Sequence, residues 1–215
     1  MSELDKYIDE KSTPEDELLK ELDRQTHLKL VQPRMISGHI QGLLLKMLVK
    51  MYRPKNVLEL GTFTGYSALS IASGLPEGGF LDTVEVDDEI ESFTNSFFDK
   101  SAYRDKIKMH IGSALTLPPT LGKCFDMVFI DADKREYPDY YRMIMGDLST
   151  PAIVKSGSVI IADNILWYGK VIEKIPANDK YTQGIVDFNA LVASDSRVEN
   201  MILNIRDGLN IILVK

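Results

Sequence analysis

Apolar runs and helix-like stretches alternate along most of this chain. Short apolar runs with many β-branched and aromatic residues predict strands at 56–60, 80–86, 107–111, 125–131 and 158–162. Amphipathic stretches between them predict helices that start near Gly65, Asp88, Ser113 and Tyr137. The runs at 125–130 and 158–162 are apolar almost throughout, as strands covered on both faces should be. The pattern predicts an α/β protein whose parallel sheet has helices on both sides.

The C-terminal end follows a different pattern. Residues 198–205 and 209–214 predict two strands, and the segment between them is Arg206-Asp207-Gly208. Asp-Gly between two apolar runs is a strong hairpin signal. One of these last strands is therefore expected to run antiparallel to the rest of the sheet.

The N-terminal third begins as a charged, helical and peripheral segment. Thr13 is the predicted N-cap of a helix, with Pro14 at its first position and Asp16 at the capping-box position. An apolar stripe on this helix indicates packing on the main domain, with binding to a partner as the alternative. A second helix is predicted at 40–51, and we divide the chain into an extension, 1–34, and a domain, 35–215.

Composition narrows the classes of protein that remain. The 215 residues fit one ordinary domain, and the formal net charge of −7 argues against a broad nucleic-acid surface. The acidic N-terminus, 1–5, has no signal-peptide pattern, and the apolar stretch 43–51 is too short to span a bilayer. A single cysteine, Cys124, cannot form an internal disulfide, so we expect a cytoplasmic location.

A glycine-containing turn follows the first strand. Glu59 is followed by Gly61 and Gly65, four residues apart, and then by a helix start. Glycine tolerates positive φ and close approach of the backbone to a ligand. The fingerprint Gly-x-Gly-x-x-Gly is absent, which disfavours a nicotinamide oxidoreductase. The order Glu-x-Gly-x-x-x-Gly instead resembles the first motif of the class I S-adenosylmethionine-dependent methyltransferases.

Further residues at strand ends are candidates for contact with such a cofactor. Glu85 ends the second strand about 20 residues beyond the glycine turn, where an acid can accept hydrogen bonds from ribose hydroxyls. Asp87 is expected to cap the next helix. Ala114, after the third strand, is suited to backbone contact with the adenine. Glu59 either holds the amino-acid end of the cofactor or braces the loop.

Two acidic clusters close the fourth and fifth strands. Asp131 and Asp133 follow one strand, and Asp163 and Asn164 follow the other. Neighbouring parallel strands lie about 5 Å apart, so groups that end adjacent strands can share one ion. Oxygen ligands suit Mg²⁺ or another hard divalent cation, such as Mn²⁺ or Ca²⁺. Each cluster taken alone would be explained better by a strand-end carboxylate that caps a helix.

These motifs together resemble the cation-dependent O-methyltransferases, which include the catechol and caffeoyl-coenzyme A O-methyltransferases and small bacterial relatives. The similarity runs from about Met35 to the C-terminus and rests on residues 58–67, 125–134, 162–167, 195–197 and 206–208. It implies a Rossmann-like class I methyltransferase fold with a seven-stranded, mostly parallel sheet that ends in an antiparallel hairpin. The antiparallel hairpin is a feature of that fold that dinucleotide-binding folds usually lack.

The resemblance also implies roles for individual residues. Asp131, Asp163 and Asn164 would hold the metal, and Lys134 matches the general base of the catechol enzyme. The residues expected to contact S-adenosylmethionine are Met35, Ser37, Glu59, Gly61, Thr62, Ser67, Glu85, Ala114, Asp131 and Asp133. Lys134, Asn164 and Trp167 would contact the acceptor. The alternative for Lys134 is a surface lysine paired with Asp131 or Asp133. The alternative for Trp167 is an aromatic side chain packed under a loop.

The implied activity is metal-dependent transfer of a methyl group from S-adenosylmethionine to a hydroxyl of a small vicinal dihydroxy aromatic molecule. Family members are commonly dimers, so a homodimer is expected. The coenzyme A recognition segments of the plant enzymes are not evident in this sequence. The alternatives are a methyltransferase for 5-hydroxyuridine at the wobble position of tRNA and a non-catalytic protein that binds S-adenosylmethionine.

Overall fold

The computed structural model describes residues 3–215, so Met1 and Ser2 of the acidic N-terminus lie outside the described residues. Its seven strands form one sheet: β1 Asn56–Leu60, β2 Phe80–Glu85, β3 Ile107–Ile111, β4 Phe125–Ile130, β5 Val154–Asp163, β6 Val198–Leu203 and β7 Leu209–Val214. The helices are α1 Glu3–Lys11, α2 Glu17–Lys29, α3 His39–Tyr52, α4 Tyr66–Gly74, α5 Glu91–Phe98, α6 Leu117–Thr120, α7 Tyr137–Met145 and α8 Lys180–Ser194. The predicted class I methyltransferase fold is confirmed.

The order of strands across the sheet is β3-β2-β1-β4-β5-β7-β6. Strands β1 to β5 pair in parallel, whereas β7 is antiparallel to both of its neighbours, β5 and β6. The predicted hairpin is therefore correct, with Gly208 at a φ of 87° in its turn. Strand order reverses between β1 and β4, and ligands of such sheets bind beyond the carboxyl ends of the strands at this point.

Two apolar layers cover the two faces of the sheet. One includes Leu22 of α2, Leu45 of α3 and Phe98 of α5, and the other includes Tyr141 of α7 and Phe188 of α8, all of them almost fully buried. The two central strands β1 and β4 contribute to both layers, which explains their nearly continuous apolar sequence. Among residues 3–215, no helix is both long and apolar enough to cross a membrane.

Several predicted boundaries are corrected by the structure. The N-cap of α2 is Asp16, whose side chain accepts from the backbone N–H of Leu18 at 2.9 Å, and not Thr13. Strand β5 begins four residues before the predicted Ser158, and β2, β4 and β6 end one or two residues early. Helix α8 had not been predicted at all. The predicted cap at Asp87 is confirmed, because its side chain accepts from the N–H of Glu89 at 3.0 Å.

Candidate active site

A cavity of about 1650 Å³ opens at the carboxyl ends of the parallel strands, where the strand order reverses. It is lined by every predicted site residue except Glu59: Met35, Ser37, Gly61, Thr62, Ser67, Glu85, Ala114, Asp131, Asp133, Lys134, Asp163, Asn164 and Trp167. The structure thus brings together residues that lie up to 132 positions apart between Met35 and Trp167. Their individual roles stay predictions.

The two glycines of the turn after β1 have the positive φ expected of them, and neighbouring protein atoms add a second requirement for glycine. Both have positive φ, 95° at Gly61 and 86° at Gly65. A Cβ at Gly61 would overlap the carbonyl oxygen of Asp131, and a Cβ at Gly65 would overlap the ring of Phe98. Glycine is therefore required here by neighbouring protein atoms and by the left-handed backbone.

Glu85 is buried at the edge of the cavity and ties two loops together. One carboxylate oxygen accepts from the backbone N–H of Phe63 at 2.8 Å, in the glycine turn. The other accepts from the N–H groups of Val86 and Asp87 at 2.9 and 3.0 Å. A carboxylate has about four lone-pair sites and three are used here, so this side chain can still accept from one hydroxyl of a ligand. The arrangement fits the predicted contact with a ribose.

Glu59 lies beneath the cavity and is fully buried. Its Oε2 accepts from the hydroxyl of Thr83 at 2.5 Å, and that hydroxyl lies 2.6 Å from the hydroxyl of Thr62 in the turn. Burial raises the pKa of Glu59 to about 8, against the opposing effect of the Ser67 and Thr83 hydroxyls. The sequence leaves two roles open for Glu59, contact with the cofactor and bracing of the loop. Its hydrogen bond to Thr83, next to Thr62 of the turn, supports the bracing role.

Asp131 follows β4 and Asp163 ends the neighbouring strand β5, since Ile130 of β4 pairs with Ala162 of β5. Asp163 is almost completely buried, and its Oδ1 accepts from the N–H of Asn164 at 2.7 Å. Its Oδ2 accepts from the side-chain amide of Gln41 at 2.5 Å. Burial, and then the charge of Asp131, raise the pKa of Asp163 to about 7. Two carboxylates are thus held close together where neither is well solvated.

This pair of acids fits a divalent cation. A cation would offset the repulsion between the two carboxylates, and the amide oxygen of Asn164 would complete an all-oxygen set. Asn164 adopts a left-handed backbone with a φ of 58°, an uncommon conformation that asparagine tolerates better than most residues. Within residues 3–215, no group of three or more His, Cys, Asp or Glu could hold a metal. The candidate set consists of two acids and one amide, so it is not a group of that composition.

Lys134 is buried beside these acids. Its ammonium donates to Oδ1 of Asp131 at 2.6 Å and lies 5.0 Å from the ring centre of Tyr137. The expected alternative, a lysine paired with Asp131, is therefore present, but the side chain faces the cavity and is not on the open surface. The same contact would place a base next to a substrate bound at Asp131.

Asp133 has a local structural role as well as a place on the cavity wall. Its side chain accepts from the backbone N–H of Arg135 at 3.0 Å and caps the short helix Lys134–Glu136. An ion pair with the Arg135 guanidinium lowers the pKa of Asp133. This acid stays ionised, so it can bind the cationic or hydroxyl groups of a cofactor.

Aromatic side chains form one wall of the cavity. The rings of Trp167 and Tyr181 are stacked, with centres 6.2 Å apart and an angle of 11° between their planes. The loop that carries Trp167 is tied to the β6–β7 turn, because Asp207 accepts from the backbone N–H of Tyr168 at 2.6 Å. Trp167 also packs on the apolar core. It therefore both lines the cavity, as expected of a residue that contacts the acceptor, and packs against the protein, as expected of a structural aromatic residue.

Four residues at this site escaped the sequence analysis: Gln41, Tyr181, Arg34 and Arg206. Gln41 had a detectable signal, because it shares the buried helical face of Leu45 and Val49 at intervals of four residues. A glutamine on such a face needs a hydrogen-bond partner. Tyr181 lies on α8, which had not been predicted. The two arginines had no local signal.

Comparison with known proteins agrees with this geometry. The family model described as O-methyltransferase matches residues 9–215. A caffeoyl-CoA O-methyltransferase of Populus kitakamiensis is 34% identical, with 97% of this chain and 92% of that protein covered. A catechol O-methyltransferase of Niastella koreensis is 33% identical, with 81% of this chain and 80% of that protein covered.

A solved structure shows the same similarity over the whole chain. The O-methyltransferase TomG of Streptomyces achromogenes, involved in tomaymycin synthesis and solved in complex with SAM, superimposes with a TM-score of 0.88. The two chains are 29% identical, and all of each chain is covered. The similarity therefore includes the N-terminal helices as well as the sheet and the cavity.

Proposed function

Because the chain belongs to the O-methyltransferase family and is an S-adenosylmethionine-dependent enzyme, we propose that it methylates one hydroxyl of a catechol-like small molecule. One observation carries the proposal. Asp131, Asp163, Asn164 and Lys134 line the same cavity as Glu85 and Ser67, the residues proposed to bind the cofactor. A protein that only binds the cofactor has no chemical need for the first group.

In this proposal the cofactor occupies the part of the cavity nearest β1 and β2. Glu85 accepts from a ribose hydroxyl, and the backbone at Ala114 contacts the adenine. The other contacts come from Met35, Ser37, Gly61, Thr62, Ser67, Asp131 and Asp133, while Glu59 braces the glycine turn from beneath. Ser37, Ser67 and Glu85 are all buried, so they would surround the ligand and exclude water from it.

Asp131, Asp163 and Asn164 would hold a divalent cation, Mg²⁺ or another hard ion, next to the cofactor. When bound, such an ion lowers the pKa of a hydroxyl that it coordinates and fixes two adjacent hydroxyls in one orientation. Gln41 and the N–H of Asn164 keep the Asp163 carboxylate in position. The aromatic wall at Trp167 would hold the ring of the acceptor.

The proton of the reacting hydroxyl is assigned to Lys134 in its neutral amine form, because the ammonium that donates to Asp131 has no lone pair to accept it. Its Nζ already contacts Asp131, so it lies within reach of a hydroxyl held at the same acid. Methyl transfer brings an anionic oxygen and a sulfonium cation together, and their charges neutralise as the bond forms. A dry cavity that fixes both partners in line lowers the barrier to this step.

The proposal is tested with labelled S-adenosylmethionine and matched acceptors. We expect methyl transfer to 1,2-dihydroxybenzene and its derivatives, and at least 100-fold slower transfer to phenol and 2-methoxyphenol, because these have a single free hydroxyl and cannot be oriented by two oxygens. Equal rates for catechols and phenols would contradict the proposed acceptor. Lys134→Met should lower kcat while the affinity for S-adenosylhomocysteine changes little.

The tRNA alternative has one observation in its favour, because Arg34 and Arg206 lie at the cavity mouth. Two cations are few for an RNA-binding surface, and the overall charge of −7 opposes one. Unmodified bulk tRNA therefore belongs in the same assay. Methylation of tRNA without methylation of any catechol would replace the small-molecule proposal.

We also propose a homodimer in a reducing cytoplasm. Leu4, Tyr7 and Ile8 of α1 are exposed apolar side chains that a second copy would cover. Cys124, the single cysteine, is exposed and needs a reducing environment to stay free. Light scattering after size-exclusion chromatography tests the dimer, with Leu4→Glu expected to yield monomers.

A further inference from the structure

Among residues 3–215, two arginines at the mouth of the cavity form no ion pair with an acid. The chain has eight arginines, and five of them form ion pairs with a nearby acid: Arg24, Arg104, Arg135, Arg142 and Arg197. Within the described part of the chain, Arg34, Arg53 and Arg206 have no such pair. Arg34 and Arg206 line the cavity, whereas Arg53 does not.

Arg206 reaches from the β6–β7 turn to the segment that leads into α3. Its Nη2 donates to the carbonyl of Ile36 at 3.4 Å, which is a long contact. Its Nη1 lies 2.8 Å from the position that a Cβ of Gly38 would occupy, so glycine at 38 leaves room for the guanidinium. The Oδ1 of the neighbouring Asp207 accepts from the backbone N–H of Tyr168.

Within residues 3–215, this guanidinium forms no ion pair of its own. Gly38 is the N-cap of α3 and makes no side-chain capping hydrogen bond. The first turn of a helix carries partial positive charge, so a cation beside it is disfavoured. The chain has 32 acidic and 25 basic residues, yet no carboxylate in the part that the structure describes pairs with these arginines. An anion from a ligand would supply the missing partner.

We propose that Arg206, with Arg34, binds a carboxylate of the methyl acceptor, so that the preferred substrates are acidic catechols. The inference rests on the proposed function, because it names the class of acceptor for the same cavity. A guanidinium can hold a carboxylate through two parallel hydrogen bonds, which makes it selective for this group. Arg206 lies on the turn that also supports the loop of Trp167, on the acceptor side.

The cofactor has a carboxylate too, and it is the other source of the same chemistry. Of the residues proposed to bind the cofactor, Ser37, Ser67 and Glu85 are buried, whereas Met35, next to Arg34, is exposed. Arg34 and Arg206 are exposed at its outer edge. We therefore assign the two arginines to the acceptor, which enters through this opening.

The test compares acidic acceptors with neutral ones of the same shape. We use 3,4-dihydroxybenzoate and 3,4-dihydroxycinnamate, each against its amide, and measure kcat/KM for wild type and Arg206→Gln. The ratio of acid to amide should exceed one in the wild type and fall about tenfold in the variant, since a hydrogen bond to a charged group is lost at an exposed site. Arg206→Lys should retain part of the ratio, because it keeps the charge.

Arg53→Gln is the matched control. Arg53 also has a left-handed backbone, with a φ of 58° against 54° at Arg206, and it lies outside the cavity. Its substitution should leave the ratio unchanged. Thermal unfolding of each variant checks that the fold is kept.

The remaining outcomes separate the inference from the function on which it rests. If no catechol, acid or amide, is methylated, the proposed function fails. If both are methylated and Arg206→Gln leaves the ratio unchanged, the function stands and the inference is overturned. An equal loss for acid and amide, together with weaker binding of S-adenosylhomocysteine in calorimetry, would assign Arg206 to the cofactor and also overturn the inference.

Discussion

At the scale of single residues, the buried acids of the site hold neighbouring segments by hydrogen bonds and have raised pKa values. Glu59 is fully buried beneath the cavity and is held by Thr83, which connects it to the glycine turn. Asp163 is buried next to Asp131 and depends on two hydrogen-bond donors. These carboxyl groups have raised pKa values because burial disfavours their charged forms.

Glu59 makes the stability of the ligand-free protein depend on pH. Its pKa is about 8 in the folded state and about 4.5 when unfolded, so the folded state binds more protons between these values. The contribution is fully present below pH 4.5 and is lost as pH rises through 8. We expect Glu59→Gln to reduce this pH-dependent loss of unfolding free energy by an amount on the order of a few kcal/mol. Urea unfolding at pH 5 and pH 8.5 measures it.

Asp163 also makes the free energy of unfolding fall as pH rises, and it does so in both proteins. The comparison of the variant with the wild type therefore isolates the part due to Glu59. A variant whose unfolding free energy falls with pH as steeply as that of the wild type would show that Glu59 is ionised in the folded protein.

Gln41 should act through the metal site rather than on substrate. Its amide is buried and donates to Oδ2 of Asp163 at 2.5 Å. Groups that orient a metal ligand typically contribute a factor of about 10 to 100 in metal affinity. We expect Gln41→Ala to weaken Mn²⁺ binding at least tenfold, measured by electron paramagnetic resonance of free Mn²⁺.

Gln25→Ala is the control for this prediction, because Gln25 donates to Glu21 on α2, away from the cavity. Equal Mn²⁺ affinity in wild type and Gln41→Ala would remove Gln41 from the account of the metal site.

At the scale of elements, α8 supports the loop that carries the proposed base. Gly184 lies within this helix, and a Cβ there would overlap the backbone carbonyl of Lys134. Alanine normally stabilises a helix relative to glycine by about 1 kcal/mol, so a loss of stability or function would have to come from this contact. We expect Gly184→Ala to shift residues 134–135 and to lower kcat at least tenfold.

The matched control is Gln183→Ala, an exposed position in the same helix, which should leave kcat unchanged. Steady-state kinetics with a catechol acceptor gives both values. Full activity of Gly184→Ala would mean that α8 does not position Lys134.

The same helix shows why part of the fold could not be predicted from the sequence. Ile185, Phe188 and Val192 follow helical spacing, and all three are buried. Gly184 interrupts this pattern. Glycine is needed there because a Cβ would overlap the backbone carbonyl of Lys134, and helix propensity does not reveal such a contact. In the same way, Asp16 and not Thr13 caps α2, although both fit the local pattern. Local rules identify an element but do not choose between equivalent caps.

At the scale of the whole molecule, strand order explains why so much of the site was predictable. Residues that end parallel strands must meet at one edge of the sheet, so Gly61, Glu85, Asp131 and Asp163 could be grouped from the sequence alone. Gln41 and Arg206 come from a helix and a hairpin whose positions depend on tertiary packing. No local pattern fixes where such side chains point.

The division of the chain at residue 34 stays a prediction. Leu22 of α2 is completely buried in the same core as β1 and α4, whereas α1 has no buried residue. Tyr66, which lines the cavity, also donates a hydrogen bond to Glu15 in the segment between α1 and α2. Residues 12–34 are thus connected to the site more closely than the word extension suggests.

The central claim is that Asp131, Asp163 and Asn164 hold a divalent cation on which methyl transfer depends. The most direct measurement is the rate of methyl transfer to a neutral catechol as Mg²⁺ is added back to chelator-treated enzyme. We expect no transfer without metal, saturable recovery in the wild type, and recovery shifted to at least tenfold higher Mg²⁺ in Asp163→Asn, with Asp147→Asn, an exposed acid, as control. Full activity in the chelator, or identical Mg²⁺ curves for wild type and Asp163→Asn, would contradict the account.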